Sequence, residues 1–164
     1  MVTLLLVRHA IAEPGGEAWP DDAARPLSTK GGERMRDIAT RLRAIDETAT
    51  VILASPLARA VETAQILAGA WTPSPAVEVL EALGPGHTPA ALAGAVTAFE
   101  GVARVALVGH EPDLGQFAAW LTGARHPLPF KKGGVARIDV ATLTALREGQ
   151  LIWFATPKIL RAGQ

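Results

Sequence analysis

Apolar residues fall into short runs separated by polar and by glycine- or proline-rich stretches. The first run, residues 2–7, is partly β-branched and ends abruptly at Arg8-His9. Residues 51–54 and 105–108 follow the same habit, and 77–80, interrupted by Glu78, make a further short strand candidate. Runs of strand length without alternation predict strands buried on both faces of a parallel sheet. Between them the period changes. Met35, Ile38, Ala39, Leu42 and Ile45 recur at helical spacing behind a cap at Ser28 or Thr29, with Arg34, Arg36, Asp37, Arg41 and Arg43 mostly opposite. Ser55 reads as a second cap and Pro56 suits the turn after it, which puts Arg59 in the first turn of a helix that runs through Val61, Ala64, Gln65, Leu67 and Ala68. Thr72-Pro73-Ser74-Pro75 stops it.

Residues 90–99 and 113–121 predict two further helices, and Trp120, at helical spacing from Phe117 and Leu121, is expected in the core. Two weaker strand candidates, 135–140 and 151–155, flank a helical or turn segment at 143–149. The strand–helix rhythm predicts an α/β fold with three layers, α/β/α, around a mostly parallel sheet that ends in antiparallel or edge strands. One domain over residues 1–164 is expected. Residues 12–26, with Pro14, Gly15, Gly16 and Pro20, form a loop of a length that usually carries function.

Composition narrows the chemistry. The chain has no cysteine, so disulfides, thiol nucleophiles and Cys-type zinc sites are excluded. Sixteen Lys plus Arg balance sixteen Asp plus Glu, so no global field draws the chain to nucleic acid or an anionic membrane, and neither partner is expected. With no signal-peptide pattern and no apolar stretch of membrane-spanning length, a soluble cytoplasmic protein is expected. The basic residues are twelve Arg and only four Lys, a skew that GC-rich coding explains as readily as function does.

In open α/β sheets ligands bind beyond the carboxyl ends of the strands. The polar residues at those ends are Arg8-His9, Ser55 through Arg59, and Gly109-His110. Two histidines and two arginines at one sheet edge suit a phosphoryl group. Histidine pairs or clusters at zinc-ligand spacing are missing, so neither a metal nor another cofactor is expected. Lys131-Lys132 beside Phe130 reads as a solvated turn, with contact to an acidic phosphoprotein as the alternative.

Leu6-Val7-Arg8-His9-Ala10 resembles the Arg-His-Gly signature of the histidine phosphatase superfamily, the phosphoglycerate-mutase-like enzymes, with Ala10 in place of the usual Gly. Arg25 through Gly31, Ala54 through Ala64, and Val108-Gly109-His110-Glu111-Pro112 match three more family segments in order. The short chain, Lys132-Gly133-Gly134 and a final strand with Trp153 are most similar to SixA-type phosphohistidine phosphatases. The resemblance implies a phosphoglycerate-mutase-like fold and His9 as a transiently phosphorylated nucleophile. Arg8 and Arg59 would grip the phosphoryl oxygens, His110 would donate to them, and Arg25 would be a further contact. A length of 164 residues implies few insertions over the site, and so a mouth open to a protein-borne phosphate.

One part is out of register. Relatives that cleave phosphomonoesters carry an acid after the third strand; here Glu81 stands one residue off that position, which Ala82 occupies. A surface Glu81 without a catalytic task agrees with an easily departing imidazole, and hence with phosphohistidine on a signalling protein as substrate. Were Glu81 turned inward, small phosphomonoesters would follow, and His87 is a further possible acid. A third reading, a phosphate-binding module without turnover, sits poorly with the intact set of His9, His110, Arg8 and Arg59.

Overall fold

The structure, a computed structural model, describes residues 1–163. Its centre is a six-stranded sheet of β1 (Val2–Arg8), β2 (Val51–Ala54), β3 (Ala76–Val79), β4 (Arg104–Gly109), β5 (Val135–Val140) and β6 (Gln150–Ala155), in the order β3-β2-β4-β1-β5-β6. The first four strands pair in parallel, β5 runs antiparallel to β1, and β6 antiparallel to β5. Only β5 is therefore reversed. The unalternating runs are explained by this position: β1, β2 and β4 lie inside the sheet, and Leu4, Leu5, Leu6, Ile52, Leu53, Ala106 and Leu107 are wholly buried.

Helices cover both faces. Helix α1 (Thr29–Ala44) and α2 (Ala58–Ala70), with the short α5 (Pro157–Leu160), pack Met35, Ile38, Leu42, Leu67 and Leu160 against the sheet side bearing Leu5, Val7 and Ile52. Helix α3 (Pro89–Val96) and α4 (Asp113–Thr122) pack Leu92, Val96, Leu114 and Phe117 against Leu4, Leu6, Leu53 and Leu107. The result is the expected α/β/α sandwich. Among the described residues no helix is long and apolar enough to cross a membrane.

Several local expectations shift. Ile45 follows α1 as its C-cap and is 44% exposed, because the helix ends before the apolar stripe makes another turn. Ser55 does not cap α2. The N-cap is Leu57, without a side-chain bond, while Ser55 accepts the Leu57 amide in a tight turn. Residues 143–149 contain no helix; Leu143 and Leu146 are buried in the core, and the Thr144 and Gly149 amides donate to the Glu100 carboxylate and the Leu121 carbonyl. Trp120 is only partly buried, stacked on Phe117 with the Arg147 guanidinium 4.4 Å above its ring.

Candidate active site

Strand pairing alone brings the two histidines together. In the parallel ladder of β1 and β4, Arg8 stands opposite Gly109, so the next residues, His9 and His110, leave the sheet side by side. Their ring centroids lie 5.1 Å apart. Beyond β2, the Ser55 amide donates to the Val108 carbonyl, and the following turn delivers Arg59 within α2. Arg8, His9, Arg59 and His110 thus line one pocket of about 340 Å³, which Arg25 also joins. Asp22, Glu111 and Lys132 complete its charged lining.

His9 is held in one tautomer. Its Nδ1 lies 2.7 Å from the Ala10 carbonyl oxygen, which can only accept, so Nδ1 carries the hydrogen and Nε2 keeps the lone pair. Burial, opposed by that hydrogen bond and assisted by the nearby His110, Arg59 and Arg8, lowers the His9 pKa to about 3. The imidazole is neutral at neutral pH, chiefly because it is desolvated and only secondarily because its neighbours are cationic.

The loop behind His9 is pinned from three sides. Thr63 accepts the Ala10 amide and donates to the Arg59 carbonyl, fastening the histidine loop to the helix that carries the arginine. Ser28 caps α1 by accepting the Gly31 amide and donates to the Ile11 carbonyl. Gly31 is required by contact: a Cβ there would lie 1.9 Å from the Ile11 carbonyl oxygen.

His110 Nε2 lies 2.7 Å from Ser55 Oγ. That oxygen also accepts the Leu57 amide; where its proton is given to Nε2, neutral His110 holds its hydrogen on Nδ1. Burial, then Arg59 and Arg8, lowers its pKa to about 4. Nδ1 is buried without a partner.

Both arginines are anchored by their tips. Arg8 Nη1 donates to the Phe130 carbonyl at 2.7 Å, and Arg59 donates to the Asp22 carbonyl at 2.9 Å and to its carboxylate at 3.0 Å. The Nε of each is buried and unpaired. Among the described residues, three of the four buried side-chain atoms without a hydrogen bond are Arg8 Nε, Arg59 Nε and His110 Nδ1. All three belong to the lining of this pocket.

Two carboxylates that sequence reasoning passed over belong to it. Asp22, in a 3-10 turn of the long loop, is held below its ordinary pKa by its bond from Arg25 and also pairs with Arg59. Glu111 accepts the Gly115 amide at 2.7 Å, and burial raises its pKa against the pull of that bond and of Arg8. Its place directly after His110 was the available signal. Lys132, expected on a solvated turn, is exposed yet reaches the pocket lining, because the turn at Gly133 donates to the Arg8 and His9 carbonyls.

Glu81 lies elsewhere. It is exposed at the start of the 3-10 turn Glu81–Leu83, and is not among the residues lining the pocket; nor is His87, whose Nδ1 lies 2.9 Å from the Gly84 carbonyl oxygen. The turn forms where β3 stops at Val79, and it carries residue 81 out to solvent. No three His, Asp or Glu side chains among the described residues are grouped to hold a metal ion.

A doubly covered α/β sheet with a histidine pair between two tip-anchored arginines at its carboxyl edge defines a phosphoryl-handling protein of the histidine type. The profile of the histidine phosphatase superfamily (branch 1) matches residues 4–84. The chain is 35% identical over 163 residues to an uncharacterized protein of Picosynechococcus sp., covering 96% of this chain and 98% of that one. It is 30% identical over 142 residues to the phosphohistidine phosphatase SixA of Escherichia coli K12, covering 83% of this chain and 84% of that protein. Among solved structures, the protein histidine phosphatase SixA complexed with tungstate superposes with a TM-score of 0.86 at 25% identity, over 97% of this chain and 99% of that one. The chain belongs to the histidine phosphatase superfamily and is SixA-like.

Proposed function

We propose that this protein hydrolyses phosphohistidine on a signalling protein through a phosphorylated His9, without a metal or other cofactor. The observation that carries the reading is that the three residues bearing an unpaired buried nitrogen, Arg8 at Nε, Arg59 at Nε and His110 at Nδ1, all line the pocket that contains His9. Unpaired buried donors are costly, and a phosphoryl group supplies an acceptor oxygen for each.

The chemistry follows from the tautomers. The Nε2 lone pair of His9 forms a bond to phosphorus while the bond from phosphorus to the substrate ring, protonated on its other nitrogen, breaks, and the electron pair leaves with that ring as neutral imidazole. His9 becomes an N-phosphorylated imidazolium whose Nδ1 hydrogen is already held by the Ala10 carbonyl. Arg8, Arg59 and His110 balance the charge on the three equatorial oxygens. Water then attacks phosphorus, the bond to His9 Nε2 breaks, and inorganic phosphate leaves with the protons of the water. A departing imidazole needs no strong acid. The alternative, a small phosphomonoester, relied on Glu81 to protonate an alkoxide, and Glu81 stands exposed on a turn outside the pocket.

The test compares turnover of a phosphohistidine-bearing phosphotransfer domain with a panel of phosphomonoesters. Hydrolysis of the former should dominate, survive chelators, leave an acid-labile phosphate on His9 in quenched reactions, and fall on the order of 10³-fold or more in His9→Ala. Retained turnover in His9→Ala, loss of activity to a chelator, or faster ester hydrolysis that disappears in Glu81→Gln would overturn the reading.

A further inference from the structure

A groove of about 690 Å³ opens beside the catalytic pocket and shares Arg8 and Lys132 with it. Its apolar floor is made by Ile11, Met35, Ile38 and Pro157, from the histidine loop, α1 and the start of α5. Its rim carries Arg34, Lys131, Lys132 and Lys158. Among the described residues no carboxylate lines it, and none of these four cations forms an ion pair. Three of the chain's four lysines therefore meet around one groove in a protein of zero formal net charge. Arg25, Arg59, Arg104, Arg137 and Arg161, by contrast, pair with carboxylates.

We propose that this groove docks the acidic segment that flanks the phosphohistidine of a protein substrate, with an apolar residue of that segment seated against the half-buried Ile11 and Pro157. The inference rests on the phosphohistidine reading and specifies its substrate: a phosphoprotein with Asp or Glu beside the modified histidine. Charge complementarity argues for an acidic partner, because four unpaired cations attract one and nothing in the lining repels it. Continuity argues for a segment joined to the phosphohistidine itself, because Arg8 and Lys132 border both spaces. The apolar floor argues against a bare anion, which gains nothing from Met35 and Ile38.

The experiment uses the full chain and two synthetic phosphohistidine peptides that differ only in carrying Glu or Gln around the phosphohistidine, with free phosphohistidine as reference. Wild type should hydrolyse the Glu peptide with the higher kcat/KM, and added salt should erase the advantage. In the triple variant Arg34→Glu, Lys131→Glu, Lys158→Glu, the kcat/KM ratio of Glu peptide to free phosphohistidine should fall by about tenfold or more. Equal rates on both peptides, or an unchanged ratio in the variant, would overturn the docking proposal and leave the phosphohistidine reading standing. Failure to hydrolyse any of the three substrates would instead sink the phosphohistidine reading. Docking is then judged by fluorescence anisotropy with the unphosphorylated Glu peptide, which should bind wild type and not the triple variant. Equal binding of an oligonucleotide of matching charge would mark the rim as an unselective anion surface and overturn the proposal.

Discussion

His9 and His110 are neutral because they are buried, and that has a consequence for stability as well as for chemistry. Unfolded, each would take up a proton near its ordinary pKa of 6.5; folded, they resist protonation down to about 3 and about 4. Between those limits the unfolded chain binds more protons, so the stability present above pH 6.5 is lost as pH falls toward 4 and below. Denaturant titrations at pH 7 and pH 5 should show this loss in wild type and a smaller one in His9→Ala. An equal loss in both would deny His9 its depressed pKa. Ser55 acts through His110: Ser55→Ala should lower kcat about five- to tenfold by freeing the tautomer, with KM little changed, and Ser55→Thr should recover part of it. Asp22 acts through Arg59. Its carboxylate is largely exposed, so Asp22→Asn should lower kcat/KM only about two- to fivefold, expressed mainly in KM.

At the scale of elements, what could be read in the sequence depended on what fixes each element. The interior strands were legible because burial on both faces leaves nothing but apolar residues, and the polar residues that end them pointed to the pocket. Ser55 read as a helix cap, which it is not, and its pairing with His110 depends on β2 and β4 being neighbours across a sequence separation of 55 residues. Glu111 and Asp22 were missed for the same reason: their roles come from groups that meet only in the folded chain. Residues 143–149 had no period to read, since two buried leucines hold an irregular segment. Gly31 shows an element contact that one atom controls. In Gly31→Ala the new Cβ meets backbone, so α1 and the histidine loop must separate, costing about 1–3 kcal/mol. Activity should fall further than melting temperature predicts, because His9 rides on the displaced loop; unchanged kcat and melting temperature would show that the two segments are not packed as described.

Across the whole molecule, the sheet carries its charge chemistry at both ends. At the carboxyl ends of the strands Arg8 and Arg59 each keep an unpaired Nε for a ligand; near the opposite end of β1 the cations are neutralised. Arg137 on β5 binds Asp139 and Glu47 at 2.9 Å each, Thr3 donates to Asp139, and Trp153 on β6 donates to Glu47. The carboxylate side chains of Glu47 and Asp139 are only 10% and 9% exposed, so the network is held out of water. Removing Arg137 would leave Asp139 without an ion-pair partner and Glu47 with only the longer 3.6 Å contact to Arg104, whereas the guanidinium itself is 27% exposed and its loss partly refilled by solvent. Arg137→Ala should therefore destabilise the fold toward the low end of about 3–5 kcal/mol. Thr3 and Arg8 lie five residues apart on β1, roughly 16 Å along the strand, so the pocket should not feel the change. Below the variant's melting transition, kcat and KM should match wild type. A fall in kcat with the fold intact would mean that the two ends of the sheet are coupled, and that the pocket's geometry is set by more than the strand ends, Thr63 and Ser55.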